Sequence, residues 1–141
     1  MKTRYSALVS VKKNALDKSE RLFQRASTDL NNASKELELS YKTLQDLDTP
    51  KAGSIGSLLA SRVLLASQRG VIDHNKEWLS FAQKQLQEAQ NRLKKDMIEY
   101  EKYKYLELEE VKKVLQEEKI KEAKRLDEVA SITFYRKNEG V

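Results

Sequence analysis

Cysteine is absent from this 141-residue chain, and histidine, tryptophan and proline each occur once. Without cysteine there is no disulfide and no Cys-ligated zinc. With His74 as the one imidazole, neither a His-His metal pair nor a Ser-His-Asp triad forms within a single chain. His74 is read as a solvated or partner-facing helix residue. Four glycines and one proline supply too little turn chemistry for a strand-rich fold. The one Gly-rich tetrad, "GSIG", lacks the length and the lysine of a phosphate-cradling loop. No stretch approaches the ~20 apolar residues of a membrane span. In "MKTRYSALVSVKKNALDKSERLF" Lys12, Lys13 and Asp17 interrupt any signal-peptide core. A soluble cytoplasmic protein is expected.

What is abundant is charge. Charged residues make up 35% of the chain, against about a quarter in ordinary globular domains. The net charge is +5, and the first 25 residues hold seven cations against Asp17 and Glu20. A basic start suits an acidic protein surface, a nucleic acid or an anionic membrane; residue by residue it also reads as a solvated helix face. Few breakers with many Glu, Lys, Leu, Ala and Gln predict long helices.

The first half carries a heptad seam. Position a is Val9, Leu16, Phe23, Leu30, Leu37 and Leu44; position d is Lys12, Ser19, Ala26, Ala33, Ser40 and Leu47. The stripe is narrower than a bundle helix needs, which favours a coiled coil. Pro50 and Gly53 in "DTPKAGS" predict a stop. A second seam runs through Leu79, Ala82, Leu86, Ala89, Leu93, Tyr100 and Tyr103. It shifts, as after a stutter, to Leu108, Val111 and Leu115, thins, and recovers at Ala123, Leu126, Ala130 and Thr133. The predicted fold is all-α: a long antiparallel two-helix coiled-coil hairpin with a short helical segment at the hinge. One coiled-coil domain over 1–141 comprises a helix at 3–48, a hinge at 49–56, a short helix at 57–69 and a long helix at 71–137. The helices would span about 65 Å and about 100 Å, so part of the second overhangs the first.

The segment "SLLASRVLLASQRG", residues 57–70, differs from the rest: five large aliphatic residues and no acid. It either folds back as core or leaves a wet apolar face, which on a hydrophilic chain marks a docking site. Catalysis is excluded on the material available. The carboxylates of "EEKIKEAKRLDE" alternate with cations as i,i+4 support on a solvent face, and a two-helix coil offers no water-excluding cavity. No cofactor and no metal are expected. A leucine-zipper reading fails because Leu16 and Phe23 belong to the seam, acids interrupt the basic stretch, and the Pro50 region favours folding back over a parallel dimer. Tyr100, Tyr103 and Tyr105 sit at seam-like spacing and read as packing groups; Trp78, beside Leu79 and Phe81, is a stronger surface candidate.

In length, hairpin pattern and charge the chain resembles the FliJ family of flagellar type III export proteins, related to the YscO-like injectisome proteins. The likeness is sharpest in "RYSALVSVKKNALDKSERLF" and "EEKIKEAKRLDEVASITFYRK". It implies a cytoplasmic, non-enzymatic component of type III secretion at the flagellar base, peripheral to the inner membrane through its partners. Protein transport, flagellum biogenesis, ATPase regulation, export chaperoning, motility and chemotaxis come with that implication. A stalk-like coil would engage the hexameric export ATPase at its termini end through Arg4, Tyr5, Leu8, Lys12, Leu126, Asp127, Phe134 and Arg136. Near the hinge Tyr41, Leu44, Leu58, Val63, Leu64, His74 and Trp78 would meet the cytoplasmic domain of the export gate. Substrate-specific export chaperones are a further implied partner; nucleic acid is not. A prefoldin-like holding chaperone, a rotary-ATPase stalk and a structural spacer fit the same hairpin.

Overall fold

Two helices, α1 (Ser6–Asp46) and α2 (Ile55–Glu139), account for nearly all of the computed structural model, which describes residues 2–47 and 53–139. No strand occurs among the described residues. The fold is all-α, an antiparallel helical hairpin, as the composition predicts. Local chemistry sets the helix starts. The Thr3 hydroxyl accepts from the Tyr5 N–H and the Ser6 hydroxyl from the Thr3 N–H, a reciprocal cap of the first turn. Ser54 caps α2, its hydroxyl and carbonyl both accepting from the Ser57 N–H. Helix α2 therefore begins at Ile55, two residues earlier than predicted. The expected hinge at Pro50 falls among residues 48–52, outside the described residues.

Gly70 does not divide the second helix. The sequence marks a short helix at 57–69 and a long one at 71–137 and leaves open whether they join at Gly70; they form one helix, unbroken from Ile55 to Glu139. One glycine in a helix interior costs about 1 kcal/mol relative to alanine, too little to break a helix packed on both sides of the position. No described glycine has a positive φ.

The chain forms two compact units, Met1–Asn14 with Ile98–Val141, and Ala15–Met97. In the Ala15–Met97 unit, Ser19 meets Asp96, Glu36 meets Asn75 and Ser40 meets Gln68, so the helices run antiparallel. Ser19, Ala26, Ala33 and Ser40, the small d residues, are buried together with Leu16, Ile72 and Ala82. Phe23, Leu30, Leu37 and Leu44 are half-buried. Two helices share one contact line: small residues on it vanish, and large ones cover them while keeping an edge in water.

On α2 the burial pattern begins at Ser61, well before the predicted seam start at Leu79. Ser61, Leu65, Gln68, Ile72 and Asn75 are all buried or half-buried at 3-4 spacing. Polar residues hid this register from the sequence. Gln68 donates to the Ser40 carbonyl at 2.9 Å and Asn75 to the Glu36 carbonyl at 3.4 Å. The Ser19 hydroxyl donates to the Asp96 carboxylate, which Arg92 also approaches at 3.9 Å. No buried side-chain polar atom among the described residues lacks a partner, which is what makes polar seam positions tolerable.

In the unit built from residues 1–14 and 98–141, Ser6 meets Glu107 and Arg4 meets Glu110, again antiparallel. The predicted stutter is absent. Leu108 and Leu115 are exposed, whereas Tyr103, Glu107, Glu110 and Val114 are half-buried at unbroken 3-4 spacing. Carboxylates occupy the inner positions because donors from the N-terminal segment face them. From Leu115 to Asn138 every residue is exposed. The first turn of α1 lies beside Glu107, so the rest of α2 has no α1 to pack on. The recovered seam expected at Ala123, Leu126, Ala130 and Thr133 is in water.

Candidate partner-binding surfaces

The termini-side candidates belong to the unit of residues 1–14 and 98–141. Arg4 holds Glu110 at 3.6 Å and stacks 5.0 Å from the Tyr5 ring centroid. Lys12 lies between the Glu99 carboxylate at 3.6 Å and the Tyr103 ring at 5.5 Å. Leu8 is exposed and Tyr5 half-buried. These four residues line one stretch of the helix pair. Leu126, Asp127, Phe134 and Arg136 are all exposed on the unpaired length of α2. Leu126 lies sixteen residues beyond Glu110, about 24 Å along the helix. The structure therefore keeps the two groups apart, as two patches of one unit.

Sequence reasoning missed a groove in this unit. Val9, Tyr100, Lys104, Tyr105, Leu108 and Val111 bound an open, largely apolar hollow of about 510 Å³. Cations stack on Tyr100 of the groove and on Tyr103 beside it. Lys13 and Lys104 sit 5.4 and 5.6 Å from the Tyr100 ring, and Lys102 sits 5.6 Å from Tyr103. Such contacts contribute about 0.5–1 kcal/mol each at exposed sites. The clue in the sequence was Lys and Tyr at 3-4 spacing across Tyr100–Lys104; taken as seam packing alone, the tyrosines conceal it. Arg136 and Lys137 in the last turn complement the negative end of the helix dipole.

The hinge-side candidates lie in the Ala15–Met97 unit. Leu64 and Trp78 are exposed, with Val71 midway between them, at seven-residue spacing. They form one line of about 21 Å beside the seam. His74 is exposed one turn before Trp78. Tyr41 carries the Lys76 ammonium over its ring at 5.9 Å, which ties it to the same stretch of α2. Leu44 is half-buried in the seam and Leu58 is exposed near the start of α2. Val63 sits apart. It projects away from α1, roughly a hundred degrees of helix from Leu64.

No group of three His, Asp or Glu side chains able to hold a metal ion occurs among the described residues, and none of the helices described is long and apolar enough to cross a membrane. What the arrangement offers is exposed apolar and cation-aromatic surface on helices. A family model described as Flagellar FliJ protein matches residues 1–139. No curated protein and no solved structure matches the chain.

Proposed function

The chain belongs to the FliJ family of flagellar export proteins, and from that membership we propose that it is a non-enzymatic, stalk-like coil serving two protein partners. One is the export ATPase hexamer, gripping the unit of residues 1–14 and 98–141. The observation that carries this is the stretch from Leu115 to Asn138, helical throughout yet without one buried residue. A lone helix of that length is marginal in water, and Ile120, Leu126, Val129, Ile132 and Phe134 gain most when a partner covers them. Arg4, Tyr5, Leu8 and Lys12 form a second contact patch, and the nearby groove at Tyr105 and Leu108 extends it.

The other partner is the cytoplasmic domain of the export gate, docking on the line of Leu64, Val71 and Trp78 with His74, Tyr41, Leu44 and Leu58 around it. Association with the inner membrane at the flagellar base follows through these proteins, and escort of export chaperones uses the same exposed helix faces. In this role the protein stays in the cytoplasm and binds no nucleic acid.

The decisive experiment adds the full chain to the export ATPase of the same cell and follows hydrolysis and hexamer assembly. Stimulation that disappears in a Leu126→Ser/Phe134→Ser variant of unchanged helicity supports the reading. No effect of the wild-type chain on either quantity refutes it and leaves a spacer. For the gate, Leu64→Ser/Trp78→Ser should weaken capture of the gate domain at least tenfold, since two large apolar anchors are lost.

A further inference from the structure

The first five turns of α2 carry a second apolar face, distinct from the line through Leu64 and Trp78. Ile55, Leu59 and Val63 are 78%, 57% and 68% exposed. At four-residue spacing they stack on one side of the helix, and Ala66 and Gly70 prolong the row. The contact line with α1 runs along the opposite side, through Ser61, Leu65, Gln68 and Ile72. The row is about 22 Å long and ends at the acids Asp73 and Glu77.

Its charge is one-sided. Arg62, Arg69 and Lys76 recur every seven residues along one edge of the row, and no acid occurs from Ser54 to Ile72. Arg62 and Arg69 are exposed. A second copy docking through the same face has no carboxylate in this segment to meet those cations. A wet aliphatic row edged by cations has the form of a helix that lies in a lipid headgroup layer, aliphatic side chains down and guanidiniums at phosphate level.

We propose that residues 55–70 form a direct contact with an anionic lipid bilayer surface, Ile55, Leu59 and Val63 entering the interface and Arg62 and Arg69 pairing with lipid phosphate. The contact lies in the plane of the surface: α2 is too hydrophilic to span it. It goes beyond membrane association through protein partners. The geometry assigns Val63 to the lipid face; the gate reading keeps Leu64 and Trp78.

Vesicle co-sedimentation of the purified full chain tests this. Phosphatidylcholine vesicles are compared with vesicles of phosphatidylcholine and phosphatidylglycerol, at low and raised salt. Binding is expected on the anionic vesicles alone, weakening with salt. Leu59→Gln/Val63→Gln and Arg62→Glu/Arg69→Glu should each lower partition at least about tenfold, with circular dichroism confirming retained helix. Lys94→Glu/Lys95→Glu makes the same charge change elsewhere and should have a much smaller effect. The proposal fails if wild type ignores anionic vesicles, if the Lys94/Lys95 variant loses as much as the Arg62/Arg69 one, or if the Leu59/Val63 variant binds as wild type does. It fails equally if, without vesicles, wild type is a dimer that Leu59→Gln/Val63→Gln dissociates, because the row is then covered by a second copy.

Discussion

Ala33 and Ser19 are completely shielded from solvent, and each holds the helices at close approach. Ala33→Leu leaves no room for the added atoms without moving a backbone. We expect a loss of about 1–3 kcal/mol of stability, read as a lowered unfolding midpoint by circular dichroism. Ser19→Ala keeps the volume but removes the donor to Asp96; a smaller loss of about 1 kcal/mol is expected. Arg4→Ala, by contrast, breaks an exposed pair with Glu110 and should shift stability by less than about 1 kcal/mol. A larger effect on ATPase stimulation than on the midpoint would mark Arg4 as a contact residue. Ala33 and Ser19 were legible as seam positions from their spacing. That Glu107 and Glu110 fill inner positions was not, because a carboxylate looks solvent-facing until its partner, Ser6 or Arg4, is known to stand opposite.

At the scale of the helices, Gly70 is the informative position. It lies inside α2, and a Cβ built there meets nothing within 4 Å. Gly70→Ala should therefore stabilise the chain by about 0.5–1 kcal/mol through lower unfolded-state entropy, measurable by chemical denaturation. A destabilised variant would mean that the helix does bend or open at this residue. The other helix-level contrast lies within the unit of residues 1–14 and 98–141. Amide protons of residues 115–138 should exchange much faster than those of 98–110, since only the latter are backed by packed contacts. Binding of the ATPase should slow exchange in that stretch. The run of α2 beyond Gly70 was readable from the lack of breakers. The early seam of α2 was not, because Gln68 and Asn75 interrupt the apolar period that sequence reasoning follows.

For the molecule as a whole, the proposed partner contacts fall largely outside the residues that pack the helices together. Ending the chain after Val114 removes surface that packs on nothing, so the unfolding midpoint should change little. The same truncation should abolish stimulation of the export ATPase; a truncated chain that stimulates normally would move the contact to Arg4, Tyr5, Leu8 and Lys12. The hinge-side residues belong to the Ala15–Met97 unit, and their substitution should leave ATPase stimulation intact while weakening gate capture. The candidate surfaces were only partly legible. Trp78, Leu64 and Leu126 stood out as large apolar groups in a charged chain, but Val63 and Leu64 read alike as neighbours until the helix separated their directions. Leu59 belonged to the segment read as either core or a wet docking face, and Ile55, placed in the expected hinge, carried no signal of its own.

The sequence by itself determined that this chain is helical, that α1 presents the stripe from Val9 to Leu44, and that thiol, triad and phosphate-loop chemistry have no residues to work with. Those follow from periodicity and from which side chains exist, and need no knowledge of what lies opposite. Tertiary structure decided the register of α2, the half-burial of Glu107 and Glu110, and which aliphatic side chains between Ile55 and Trp78 stay in water. These depend on the partner across the contact line: a polar residue is accepted inside where α1 or the residues just before it offer a donor or a carbonyl, and an apolar one stays wet where α1 has turned away or ended.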